Sequence, residues 1–283
     1  MSPCFVGSRP RAYTQTCGHR RPCPLEVVIA IYQTLDDVVA GFSSLEQQFR
    51  ARQDRRSIFL SLYGVVSAEM RDRLASRAFA DEVWVERYAV AFANLYREAL
   101  EAYDAGRTTA VPRAWRRCFD TAAAGNNLVL QDVLLGVNAH VNNDLAFALD
   151  HVSLNPDRDR RRHDHNAVNQ VLTGVTQRAT QRLASLYAPG IATMDEAAGD
   201  LDELLSRMSL ETARDSAWES ACALADARGP VERGLAAARV SARASVMARL
   251  LLAPSRRLTL IATCRRLEQE SNWLTLLHEL GRA

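Results

Sequence analysis

Apolar residues recur three and four positions apart along most of the chain, the spacing that lines one face of an α-helix. Val27, Ile31, Leu35, Val38, Val39 and Phe42, followed by Leu45 and Phe49, predict a long first helix or a broken pair starting near Leu25. A second helix is predicted from Arg55 to Ala75. A third runs from Asp81 to Ala105 and opens on acidic residues that suit a helix N-terminus. Gly106 to Pro112 carries turn chemistry, and Pro112 is placed to start a short helix holding Trp115. A long helix follows from about Leu128 to His151, then a charged loop over Asn155 to Arg162, then a helix from about Asp164 to Leu186. The remaining pattern predicts helices over 195–208, 211–227, 230–252 and 255–280, punctuated by Gly229-Pro230 and Pro254. No stretch shows the period-two alternation of a strand. The expected architecture is all-α: an irregular N-terminal arm over 1–24, then a single domain over 25–283 built as a bundle of about eight to ten helices.

Composition narrows the function classes. Apolar residues make up 48% and charged residues 24% of 283 residues, enough for a sizeable core. Lys plus Arg (35) nearly balance Asp plus Glu (33), which gives no general reason to expect nucleic acid or an anionic membrane as partner. The basic run Arg158 to Arg162 contains Asp159 and no aromatic residue, so it suits a lid over a site better than a nucleic-acid contact. Cys4, Cys17 and Cys23 lie in the arm and Cys118, Cys222 and Cys264 lie singly in helical surroundings, which is no disulfide framework. Cys17 to Cys23 also lacks the paired spacing of a zinc module. No apolar run approaches the ~20 residues that span a bilayer, and no signal-peptide hydrophobic region is seen, so a reducing cytoplasm is the expected compartment.

The densest chemistry lies in Leu135 to Leu145, where polar residues interrupt an otherwise apolar helix. His140 and Asp144 are four apart, share a face and border the stripe of Leu134, Val137, Val141 and Leu145, so they are expected to look inward or along a cleft. His163 and Asp164, followed by His165, open the next helix; with a short loop between, the two helices are expected to be antiparallel neighbours. If the loop folds back, His140, Asp144, His163 and Asp164 supply two imidazoles and two carboxylates, a ligand set for zinc, iron or manganese that would activate water or polarise a substrate oxygen. The structural alternative is a hydrogen-bonded His–Asp pair, with Asp164 stabilising its own helix N-terminus. Arg87, beside Tyr88 and near Phe92 and Tyr96, is a candidate anion clamp or else part of a solvated face. Trp84, Trp115, Trp218 and Trp273 read as core anchors, and Asn138 and Asn142 as helix cross-links or ligand-positioning groups. The chain has no Gly-x-Ser-x-Gly, phosphate loop, dinucleotide fingerprint, His-Glu-x-x-His or Cys-x-x-Cys motif, and its His/Asp order is not that of HD phosphohydrolases.

Asp81 to Leu100, Trp115, Gln131 to Leu149 with Asn138-Ala139-His140 and Asp144-Leu145, His163-Asp164 with Val168-Asn169, and Arg214 to Trp218 together resemble a bacterial family known as domain of unknown function 5995. The resemblance covers most of residues 30–228. It implies an all-helical fold and makes a polar site at the matching His and Asp positions more expected. Members often carry an aromatic residue after the second Asp, where this chain has His165, leaving that residue either an added ligand or a bystander.

The expectation that follows is a small-molecule enzyme with a His/Asp site in a helical pocket, using a divalent metal or a metal-free acid/base cluster. Its substrate would be hydrophobic and its reaction hydrolysis, elimination, cyclisation or rearrangement, in the manner of natural-product tailoring. The alternatives are a non-catalytic helical binding protein with a structural His/Asp network, and a non-haem iron oxygenase using His140, His163 and Asp144.

Overall fold

The computed structural model describes residues 31–190 and 210–252, all of them in one compact unit that begins at Ile31. The predicted arm over 1–24, the start at Leu25, the helices over 195–208 and 255–280, and Trp273 lie outside the described residues. Every regular element that is described is helical, as expected. In chain order these are α1 (Leu35–Ala51), α2 (Arg56–Ala75), α3 (Glu82–Asp104), α4 (Arg113–Ala124), α5 (Val129–Val137), a π-helical segment (Asn138–Asp144), α6 (Leu145–His151), α7 (Arg158–Leu186), α8 (Leu210–Ala225) and α9 (Pro230–Leu252). None of the described helices is long and apolar enough to cross a membrane.

Side chains that satisfy the free backbone donors of a first turn set the boundaries. Thr34 and Asp37 form a reciprocal capping box at α1, Asp81 accepts from the Trp84 N–H at α3, and Asp157 accepts from the Arg160 N–H at α7. Helix α4 follows Pro112 and ends on Gly125 at φ 69°, a left-handed conformation that glycine adopts without a Cβ penalty.

Helix α7 starts at Arg158, so the charged run expected to form a lid loop is instead the first turn of a helix. Asp157 caps it, and its arginines are committed: Arg158 pairs with Asp226 at 2.5 Å, Arg162 pairs with Asp215 at 2.5 Å, and Arg160 donates to the Ala80 carbonyl. The expected pairing of α7 with the helix before it is also corrected, because α7 packs mainly along α2, while α3 and α8 flank α6.

Helices α5 and α6 and the π segment between them form one continuous rod from Val129 to His151 at the centre of the bundle, contacted by α2, α3, α4, α8 and α9. Ala139, Leu145, Ala146, Ala148 and Leu149 are fully buried, so this rod is enclosed on nearly all sides. Two of its asparagines tie it to α9, as Asn138 Nδ2 donates to the Ala244 carbonyl and Ser241 Oγ donates to Asn143 Oδ1, while Asn142 Nδ2 donates to Asn138 Oδ1 within the rod.

Gly136 of this rod lets α2 approach closely. A Cβ there would stand 2.4 Å from Phe59 Cδ2 and 2.9 Å from Phe59 Cβ, and a ring root held by neighbouring aromatics cannot swing aside. Helix propensity alone favours alanine over glycine by roughly 1 kcal/mol. We expect Gly136→Ala to destabilise by about 1–3 kcal/mol, the usual cost of overpacking. Urea unfolding measures it, and a more stable variant would reject the close contact.

Candidate functional site

The π segment carries the densest polar chemistry. Within it the Leu145 N–H donates to the His140 carbonyl five residues back, widening the turn relative to an α-helix. On this turn His140 and Asp144 meet: His140 Nδ1 lies 3.1 Å from Asp144 Oδ2. The same Oδ2 accepts from Trp115 Nε1 at 2.6 Å, and Oδ1 accepts from Asn143 Nδ2 at 2.9 Å. An indole N–H only donates, so Asp144 serves as acceptor and the proton of His140 is assigned to Nδ1. The other ring nitrogen, Nε2, is then a lone-pair acceptor, and it is buried with no hydrogen-bond partner.

Aromatic rings hold the imidazole in place. Phe92 of α3 stacks on it with centroids 3.4 Å apart at 10°, and Tyr63 of α2 meets it edge-on at 4.4 Å. Burial pushes the His140 pKa below the ordinary histidine value, and the neighbouring Asp144 only partly offsets this. The ring therefore rests neutral, with its basic nitrogen available.

His140 lines a cavity of about 150 Å³. Its walls are mainly apolar, with Phe59, Met70, Phe92, Val141, Leu172 and Val175 among them, contributed by α2, α3, the central rod and α7. Tyr63, Ser67, Tyr88, Thr176 and Thr180 add hydroxyls, and Arg214 of α8 adds a guanidinium. Such a space, with few polar groups converging on it, has the character of a small-molecule site.

The second predicted cluster does not join the first. Asp164 is buried but accepts from the backbone N–H groups of Ala80 and Asp81 at 2.7 and 2.6 Å, so it fastens the start of α3 rather than that of its own helix. His163 is exposed on α7, and Arg87 is exposed on α3; neither lines the cavity. The clusters stay apart because Asp164 is bonded at the start of α3 and His163 remains exposed outside the cavity lining. Among the described residues no group of three or more His, Cys, Asp or Glu side chains is placed to hold a metal. The donor set of His140, Asp144, His163 and Asp164 therefore does not fit a zinc, iron or manganese centre as arranged, and Cys17 and Cys23 lie outside the described residues.

His165, left open as ligand or bystander, is part of a second buried pair. Its Nε2 donates to the Arg214 carbonyl at 3.2 Å, and its Nδ1 lies 3.3 Å from Arg214 Nη2, which also donates to the His165 carbonyl. Arg214 Nε donates to Asn169 Oδ1 at 2.7 Å. Burial, reinforced by the adjacent guanidinium, pushes the His165 pKa down to about 2. Arg214 was legible only through its place in the Arg214 to Trp218 stretch, and Tyr63 and Phe59 only as residues inside the helix predicted from Arg55 to Ala75. Trp115 was read as a core anchor; it is one, and its indole also positions Asp144.

A family model described as a family of unknown function (DUF5995) matches residues 35–254. No curated protein and no solved structure matches the chain.

Both buried histidines are neutral in the folded protein and regain the usual value of 6.5 on unfolding. Below that pH the unfolded chain binds more protons, so stability is present above about 6.5 and is lost on acidification, for His165 down toward about 2. Each ring contributes up to about 1.4 kcal/mol per pH unit within its window. Denaturant unfolding between about pH 8 and about pH 5 should show this decline, and His165→Gln should flatten it. Parallel slopes in the two proteins would contradict a neutral His165.

Proposed function

We propose that this chain, which belongs to the family of unknown function DUF5995, is a small-molecule enzyme that uses His140 as a general base on a hydrophobic substrate. The observation that carries this reading is the state of His140 Nε2: buried, without a partner, on a ring that lines an apolar cavity and whose other nitrogen is tied to Asp144. Most buried polar atoms are paired, and an unpaired ring nitrogen beside a cavity is open to a ligand. His165 has both nitrogens met, and the contrast between the two rings supports a separate role for His140.

The chemistry follows from the tautomer. Nε2 takes a proton from a substrate C–H or O–H, or from a water attacking a substrate carbonyl. The imidazolium that forms keeps its Nδ1–H on Asp144, whose charge stabilises it and whose own position is held by Trp115 and Asn143. The proton is then returned to the product side, which suits elimination, rearrangement, cyclisation or hydrolysis of a molecule small enough for the cavity. Phe92 and Tyr63 keep the ring from turning away.

A second reading is favoured by the apolar walls themselves: the cavity binds its ligand without changing it. The two readings part on turnover. A panel of apolar carbonyl, hydroxyl and ester compounds incubated with the protein and followed by mass spectrometry should reveal a product. His140→Gln should lower kcat by about 10²- to 10⁴-fold with the fold retained, and Asp144→Asn should lower it less. Binding with no product in the wild type, or equal rates in wild type and His140→Gln, would leave the carrier reading.

A further inference from the structure

We propose that the ligand of the cavity is a hydrophobic carboxylate, with its acid group held by Arg214 and its apolar body filling the space beside His140. This deepens the reading of His140 as the base and rests on it for the chemistry, though not for the binding.

Arg214 is 4% exposed and lines the same cavity as His140. A buried guanidinium is costly unless an anion answers it. Among the described residues its partners are all neutral: the Asn169 amide, the His165 carbonyl and the His165 ring. No acidic side chain lines the cavity among those residues, and Arg214 is the one cation that does. The neighbouring imidazole, whose Nδ1 faces the guanidinium, is neutral or cationic and so brings no negative charge. Asn169 and His165 instead fix the orientation of the fork through Nε and Nη2, and no described group bonds Nη1. A fixed fork with donors to spare is the arrangement that binds a carboxylate through charge-assisted hydrogen bonds.

Size sets the rest of the ligand. An engineered apolar cavity of about 150 Å³ accepts benzene, and this one is also about 150 Å³. One aromatic ring or a short alkyl chain therefore matches the apolar part. With the acid anchored at Arg214, the apolar body shares the cavity that His140 lines.

Calorimetry compares phenylacetate with its neutral isostere 2-phenylethanol, and octanoate with octanol, on the wild type, Arg214→Gln and Arg214→Lys. The wild type should bind each acid about 10- to 100-fold more tightly than its alcohol. Arg214→Gln should abolish that preference and leave alcohol affinity unchanged, while Arg214→Lys keeps part of it. The wild-type ratio alone decides the matter should Arg214→Gln fail to fold. Equal affinity for acid and alcohol, no binding of either pair, or a preference that survives in folded Arg214→Gln would overturn the proposal. His140→Gln should retain the acid preference, so loss of turnover there tests the base and the ratio tests the anion site. Acid preference in a protein without turnover would uphold the site and remove the chemistry; turnover without acid preference would do the reverse.

Discussion

A carboxylate enclosed in a helical bundle must have its oxygens met by donors, and that requirement at Asp144 organises the centre of this protein. Trp115, Asn143 and His140 meet it from three directions. Each contact has a structural consequence: the indole draws α4 against the central rod, Asn143 links onward to Ser241 of α9, and the imidazole is locked with its proton on Nδ1. The basic Nε2 is the outcome of satisfying Asp144, so a local structural demand also produces the candidate reactive atom.

The rod that bears Asp144 shows how packing makes such chemistry tolerable. It is enclosed by five other helices, so its polar residues find partners in protein rather than water. The π turn brings His140 and Asp144 together, and Gly136 one turn earlier lets Phe59 lie directly on the rod. Phe59 contacts the rings of Trp115 and His140 alike, so the close approach at a glycine contributes to the wall of the cavity.

The two buried histidines divide along the same physical line. His165 has both nitrogens engaged with Arg214 and holds that residue in place. His140 has one nitrogen engaged and the other free within an apolar space. Burial keeps both neutral, but only the second retains an unused lone pair. The cavity thus joins a neutral base to a fixed cation, a pairing that neither residue suggests alone.

Much of the scaffold was determined by the sequence itself. The apolar spacing, the acidic start at Asp81, and the glycine and proline punctuation are local, and they placed α2, α3, α4, the central rod and α9 nearly where they occur. The pairing of His140 with Asp144 was legible too, since four-residue spacing on a helix brings side chains together whatever surrounds it. Tertiary structure decided what distance along the chain conceals. Only the tertiary packing sent Asp164 to the start of α3 and left His163 and Arg87 on the surface, outside the cavity that His140 lines. Only the docking of α8 brought Arg214 to the cavity from 74 positions beyond His140. Helix periodicity reports which face is buried, but the helix that covers that face is chosen by the packing of the whole bundle.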